Sequence, residues 1–324
     1  MISLVTGASG FSGNHLVAEL LAEKGGSVRA LVHRAESAAE LHGADVRIGD
    51  VRDSNLVQDA VQGVDVVYHC AAAAGSGASP REAYDIALTG TRNVLEGLRR
   101  AGTGRAVLLT GIIVLGARNL DAATEDLPYQ RTGDPASDVK IEIEQMAWEY
   151  EQRHGVDVTV LRPGMIYGPR DRRNLPQMIR ALRNGRFAFI RSRKNVMPIV
   201  YIGDMIRAMR LAARTPAARG RAYHITDGSS TPLGDFIDCL AGQFGCPPPQ
   251  KELPFVVPYL GCLLFESLAA LRLYRGRPPI SRTSLNYLGY SRRIDITRAC
   301  NELGYEPRVS YREGLPLAVK GIEV

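Results

Sequence analysis

Residues 2–13 read Ile2-Ser3-Leu4-Val5-Thr6-Gly7-Ala8-Ser9-Gly10-Phe11-Ser12-Gly13, a strand-like run that passes straight into a loop with glycine at every third position. That spacing decides the fold. Gly7 permits a tight turn out of the strand, Gly10 leaves the backbone bare enough for a pyrophosphate to approach, and Gly13 lets the next helix pack closely on the sheet. Ser9 and Phe11 lie in the same loop and are expected at the phosphates. Residues 14–24 then carry Leu16, Val17, Leu20 and Leu21 at helical spacing, which aims the helix's N-terminal amides and dipole at the bound anion. Gly25-Gly26 ends that helix.

A second strand is expected at residues 28–32, and about twenty residues past the loop a side chain should reach the adenosine ribose. His33-Arg34 stands there, with no carboxylate. An acidic residue would accept bonds from a free 2′-hydroxyl and repel a 2′-phosphate, whereas Arg34 attracts the phosphate through charge-assisted hydrogen bonds. NADP is therefore favoured over NAD.

Outward from this loop, strand-like runs recur at 46–48, 64–69, 106–109 and 156–161, alternating with helical patterns at 55–62, 84–101 and 139–154. The alternation implies an α/β fold, a parallel sheet covered on both faces, and right-handed crossovers make it doubly wound. Residues 1–165 are read as the Rossmann-type nucleotide domain. Beyond Arg162-Pro163-Gly164 the prolines cluster and helical pieces replace the alternation, so 166–324 are read as a smaller, mostly helical substrate lobe. Short strand-like runs within 198–226 are expected to return to the Rossmann sheet.

The 324 residues suffice for a large core. A net charge of +6 and a pI near 9.1 invite a nucleic-acid reading, but the basic residues are scattered among 34 acidic ones, so no nucleic-acid partner is expected. Five widely spaced cysteines suit a reducing compartment and offer neither a disulfide frame nor a metal site. With the nucleotide strand beginning at Ile2 no signal peptide fits ahead of it, and a cytoplasmic location is expected. The longest apolar stretch, 255–265, is broken by Pro258 and Gly261 and is too short for a bilayer span. It reads as a buried helix of the second lobe, although Arg272, Arg275 and Arg277 just beyond it also suit a peripheral membrane contact or a cap over an apolar pocket.

Five ordered motifs carry a resemblance. Besides residues 6–13 these are Gly49-Asp50-Val51-Arg52-Asp53, Val67-Tyr68-His69-Cys70-Ala71-Ala72, Gly90-Thr91-Arg92-Asn93-Val94 and Leu161-Arg162-Pro163-Gly164-Met165-Ile166-Tyr167-Gly168-Pro169. Together they resemble the extended short-chain dehydrogenase/reductase superfamily over nearly the whole chain. Pro278-Pro279-Ile280-Ser281-Arg282, Glu302-Leu303-Gly304-Tyr305-Glu306-Pro307 and Tyr311-Arg312-Glu313-Gly314 are similar to the tail of its NAD(P)-dependent epimerase/dehydratase and 3β-hydroxysteroid dehydrogenase branch. The resemblance implies that Asp50 and Val51 hold the adenine, that Ala71 and Ala72 line the cofactor cleft, and that Pro163 through Ile166 pass beside the nicotinamide. It also implies a homodimer through the helices at 84–101 and 139–154.

The family moves a hydride at a carbinol carbon while a tyrosine handles the hydroxyl proton, helped by a lysine four residues later and a serine or threonine on the substrate oxygen. Here Lys140, followed by Glu144 at the family's spacing, is the lysine. The tyrosine position is Ala136, the serine position Gly111, and the usual asparagine Ala87. Thr110, Ser137, Asp138 and Tyr167 neighbour the vacancies, and Tyr129 can serve only if its loop folds over the site. His69 is assigned no proton-transfer role.

Three functions follow. The first is an oxidoreductase acting on an apolar or alicyclic alcohol or ketone, with Lys140 or Tyr129 as an atypical acid–base group. The second is a nucleotide-sugar epimerase or dehydratase, with a diphosphate held by Arg170, Arg172, Arg173, Arg191 and Arg193. The third is a protein that keeps the fold and the cofactor but performs a non-redox step or none.

Overall fold

The computed structural model of the protein describes residues 1–23, 25–71, 80–102, 104–270 and 281–322. A seven-stranded sheet forms its centre: β1 (Ile2–Thr6), β2 (Ser27–Val32), β3 (Asp45–Ile48), β4 (Val66–His69), β5 (Arg105–Leu109), β6 (Asp157–Pro163) and β7 (Arg221–Ile225), in the order β3-β2-β1-β4-β5-β6-β7. Every pairing in it is parallel. Strands buried on both faces need near-continuous apolar runs, and β4 has all four residues buried while β6 has six of seven.

Helices α1 (Phe11–Ala22), α2 (Ser54–Val61), α3 (Pro80–Ala101), α4 (Pro135–His154), α5 (Asn174–Arg183) and α6 (Ile202–Arg214) supply the layers. Leu16, Val17 and Leu20 of α1 join Met205, Ala208 and Met209 of α6 against one face of the sheet. Val57, Val94, Leu95, Leu98, Val139 and Ile143, from α2, α3 and α4, cover the other. The chain leaves β1 for β2 on one side and reaches β4 on the other, so the strand order reverses between β1 and β4. In such sheets that reversal opens a crevice at the strands' carboxyl ends.

The second half is divided. β7 adds to the main sheet beside β6, whereas residues 199–201 pair with 165–167 in a separate two-stranded element. A third apolar cluster, built on Phe189, Phe236, Ile237 and Tyr167, forms the core of this part. Two further helices, α7 (Val256–Ala270) and α8 (Arg282–Leu288), pack on one another around Cys262 and Leu285. The reading of 255–265 as a buried helix needs correction: α7 sets Cys262 inward but leaves Val256, Val257, Leu260 and Leu264 more than half exposed. Pro258 and Gly261 lie within this helix without ending it, and among the described residues no helix is long and apolar enough to cross a membrane.

Candidate functional site

One cleft of about 1190 Å³ runs along the carboxyl ends of the strands at the switch point. At one end sits the glycine loop. Gly7 adopts φ +65°, and a Cβ there would lie 2.7 Å from the Ala71 backbone. A Cβ on Gly13 would run into the backbone of Gly7 and Ala8. Both positions therefore demand glycine on steric grounds. Gly10 precedes α1 with no side-chain cap, so the first-turn amides are left to meet an anion in the cleft. This backbone cradle fits the pyrophosphate of a dinucleotide.

Ser9, Gly10, Phe11, His33, Arg34, Asp50, Val51 and Ala71 line the same cleft, as do Lys140, Pro163 and Ile166. Ala72 lies outside the described residues. Arg34 is exposed at the end of β2, with Ser37 lining the same stretch. Asp50 is held by Arg52, whose Nη2 donates to Oδ2 at 2.6 Å, and these bonds keep its carboxyl below the usual range. His33 stands 4.0 Å from the same carboxylate. The segment after Tyr167 closes over this end: the His15 ring bonds the Pro169 carbonyl at 2.9 Å, Arg170 donates to Asn14 at 2.6 Å, and Arg172 pairs with Glu40 at 3.2 Å.

Toward the other end the cleft passes Leu109, Thr110 and Gly111 and reaches Lys140. The Lys140 Nζ donates to the Leu109 carbonyl at 3.4 Å. Burial lowers its pKa from the ordinary lysine value, partly offset by the Glu144 charge. Glu144 itself is fully buried and joins four elements: it accepts from Thr110 Oγ1 at 2.6 Å, from Tyr129 at 2.9 Å, and from the Arg162 fork at 2.6 Å. Removing either partner of a buried carboxylate–guanidinium pair strands a charge, so this knot is a fixed floor beneath Lys140.

The knot also disposes of one candidate acid. Tyr129 does not line the cleft: its hydroxyl lies between Glu144 and the Trp148 indole N–H at 2.8 Å, with Arg162 over its ring. Burial and the Glu144 carboxylate push its phenol up to about 12. The loop carries the side chain into the packing behind Lys140 instead of over the cleft, and Tyr129 is a structural tie. Thr110 reaches the cleft, but its hydroxyl is spent on Glu144. Ser137 donates to Asp134 at 2.7 Å, and Asp138 accepts from the Thr132 and Gly133 amides. Tyr167 is buried between Tyr201 and Phe236, away from the cleft. His69 bonds Thr6 at 2.7 Å and Thr91 at 3.1 Å, and burial drives its pKa down to about 3, so it stays neutral.

Gly111 is more than a missing hydroxyl. Its φ of +148° lies where L-residues are rarely found. Placing a serine there would cost about 1–3 kcal/mol of backbone strain. Ala136, one turn before Lys140 on α4, is exposed.

The wall opposite comes from residues that sequence spacing did not single out. Thr283, Ser284, Tyr287 and Leu288 of α8 line the cleft, with Ile112, Ile113, Met165 and Met178. Thr283 donates to Asp134 at 2.5 Å and Tyr287 to the Pro198 carbonyl at 2.7 Å, while Ser284 Oγ bonds Ser281 Oγ at 3.0 Å. The forward signal was the tail motif that ends at Ser281-Arg282; in the fold Ser281 caps α8 by accepting from the Ser284 amide, and Thr283 meets Asp134 from 149 residues away.

The model of the NAD dependent epimerase/dehydratase family matches residues 3–226, and the chain belongs to that family. Among curated relatives, it is 31% identical to the 4-hydroxy-2-methyl-3-oxo-4-farnesyl-3,4-dihydroquinoline-1-oxide ketoreductase of Stigmatella aurantiaca, across 97% of this chain and 95% of that one. It is 27% identical to the human sterol-4-alpha-carboxylate 3-dehydrogenase, decarboxylating, across 98% of this chain and 87% of that one. Among solved structures, the UDP-glucuronic acid 4-epimerase from Bacillus cereus in complex with NAD superimposes with a TM-score of 0.78 at 21% identity, covering 99% of this chain and 98% of that one, a likeness of fold. The cleft is thus a pyridine-nucleotide site in its family, as the glycine loop led us to expect.

Proposed function

We infer that the protein is an NAD(P)-dependent oxidoreductase that interconverts a ketone and a secondary alcohol on an apolar or alicyclic substrate, with NADP favoured over NAD. The observation that carries this reading is Lys140: an amine with a lowered pKa in the wall of one cleft, between a pyrophosphate cradle and an apolar wall. Gly7, Ser9, Gly10, Phe11 and Gly13 would hold the pyrophosphate, Asp50 and Val51 the adenine, His33 and Arg34 the ribose phosphate, and Ala71, Pro163 and Ile166 the nicotinamide. When bound, the cofactor supplies or accepts the hydride.

The chain's own contribution is the proton. Lys140 as ammonium donates it from Nζ to the carbonyl oxygen during reduction and takes it back, as the amine, during oxidation. Burial has brought it nearer to neutrality, which is what a proton carrier needs. Ser284, which lines the same cleft, would have to exchange its bond to Ser281 to hold the substrate oxygen that no serine at 111 can hold. Ile112, Ile113, Met165, Met178 and Leu288 favour an apolar body. The names of the ketoreductase of a farnesyl-bearing dihydroquinoline oxide and of the sterol dehydrogenase, both similar over nearly the full chain, agree with that choice.

The nucleotide-sugar reading finds less support. Arg191 stacks on Phe255 and Tyr290, and Arg193 pairs with Asp238, both outside the cleft lining. Arg170, Arg172 and Arg173 line the cleft, and Arg170 and Arg172 are bonded at the nucleotide end. The non-redox reading is favoured by the absent hydroxyls at 111 and 136. One experiment separates them: NADPH or NADH is mixed with a panel of apolar ketones, and reduced-nicotinamide absorbance is followed for the wild type and for Lys140→Met. Turnover that falls at least about a hundredfold in the variant, with cofactor affinity little changed, is expected. Cofactor binding without turnover on any ketone would move the assignment to a non-redox step. As the remaining parts of the reading, we place the protein in the cytoplasm as a homodimer through α3 and α4.

A further inference from the structure

Five of the nine exposed large apolar side chains among the described residues lie on one helix: Val256, Val257, Leu260, Leu263 and Leu264 of α7. At about 100° per residue they fall within an arc of about 120°, so they make one stripe. The opposite side is committed to the protein: Cys262 is buried, Tyr259 stacks on Phe255 at 5.8 Å, and Tyr259, Leu285 and Leu288 share a cluster. A monomeric surface rarely shows such a contiguous stripe unless something covers it.

The charge around the stripe selects what covers it. Residues 253–282 hold four arginines, Arg272, Arg275, Arg277 and Arg282, against the single acid Glu266, a net charge of +3. The first three of these lie outside the described residues, and only their charge enters. At the helix's other end Lys251 is exposed, and the exposed Arg191 lies over the Phe255 ring at 4.9 Å. The nearby acid Glu252 is occupied by the Arg193 amide at 2.7 Å. An apolar stripe with exposed cations beside its first turn and a net positive sequence after it matches a bilayer surface with anionic headgroups: apolar side chains enter the acyl boundary and basic ones stay among the phosphates. A second copy of the chain would instead bring cations against cations.

We propose that α7 docks the protein on an anionic membrane surface, lying in the interface without crossing it. The helix packs on α8, whose Thr283, Ser284, Tyr287 and Leu288 line the cleft, so docking places the apolar end of the cleft at the lipid boundary. The inference stands on the surface of the cofactor-free protein and survives or fails independently of the oxidoreductase reading.

The test is co-sedimentation of the full chain with vesicles of phosphatidylcholine alone and of phosphatidylcholine with phosphatidylglycerol. Binding to the anionic vesicles, weakened by added salt and reduced at least about tenfold by Leu260→Glu with Leu264→Glu, is expected. Because that pair of substitutions can disturb folding, Leu264→Trp gives a second readout: its fluorescence shifts to the blue on vesicle addition and is quenched by brominated lipid. Protein that stays in the supernatant with both vesicle types overturns the proposal, and so does a tryptophan at 264 that lipid leaves unquenched. A wild-type dimer that the glutamate pair turns into a monomer also overturns it, assigning the stripe to a second copy.

Discussion

The two ends of the cleft are built in opposite ways. The nucleotide end is a short local stretch whose geometry is backbone: Gly7, Gly10 and Gly13 act by lacking side chains, and one strand, one loop and one helix suffice to form it. The substrate end is a meeting of side chains from β5, α4, α5 and α8, separated by up to about half the chain. Backbone recognition tolerates little change and leaves a strong trace in sequence. Side-chain recognition is assembled from distant positions, and at Gly111 the backbone itself, with φ +148°, disfavours any side chain.

The largest expected effect tests the first half of that contrast. In Gly13→Ala the new methyl would sit 2.9 Å from the Ala8 Cα and closer still to the Gly7 carbonyl oxygen, where only backbone can yield. Dinucleotide affinity, read by titration calorimetry, should fall at least about a hundredfold, near 3 kcal/mol. Leu288→Ala, at the other end, should leave that affinity within about threefold because it removes no group from the cradle. If both variants lose nucleotide binding equally, the two ends are not separate structures and the comparison fails.

This division explains what could be read before the structure. The parallel, doubly wound sheet follows from alternating strand and helix patterns and crossover handedness, and the glycine loop announced both the first turn and its ligand. Lys140 was legible because Glu144 follows it at a helical interval, although the spacing alone could not reveal why: Glu144 is the buried acceptor that ties Thr110, Tyr129 and Arg162 together. Tyr129 misled for the same reason. A loop tyrosine near the site is compatible with either direction of its side chain, and only the Glu144 and Trp148 partners decide it. The α8 wall was invisible because contacts between residue 134 and residue 283 leave no periodic signature. The exposed stripe of α7 was misread because an apolar run gives the same pattern whether its face meets a core or something outside the chain.

A smaller effect sharpens the nucleotide half. Arg34 is exposed at the mouth of the cleft, and the strand-tip residue before it is His33 where a carboxylate would disfavour a 2′-phosphate. A charge-assisted bond to a 2′-phosphate is worth about 1.5–3 kcal/mol. Arg34→Ala should therefore lower the affinity for NADP at least about tenfold while leaving NAD nearly unchanged, as read from paired dissociation constants. An unchanged ratio would remove Arg34 from the discrimination and leave Arg172, already paired with Glu40, as the next cation to test.

The smallest effect compares the packing under the two ends. His69 lies beneath the nucleotide loop and His224 on β7 behind the Glu144 knot, and burial drives both down to about 3. Unfolded, each would titrate near an ordinary value of about 6.5. Between those values the unfolded chain binds protons that the native state refuses, so stability is present above about pH 6.5 and is lost as pH falls toward 3. Each histidine adds at most about 1.4 kcal/mol per pH unit to that slope. His69→Gln keeps a donor and an acceptor for Thr6 and Thr91 and should flatten the slope without a large loss at neutral pH, as measured by denaturant unfolding at several pH values. His224 also feels the repulsion of Arg162, part of the buried knot, so protonating it sets a new cation against one already fixed in place. His224→Gln should then flatten the acid slope as well. If only His69→Gln does so, protonation beneath the nucleotide loop alone opens the fold, and the substrate half is the part that yields to acid without unfolding the whole.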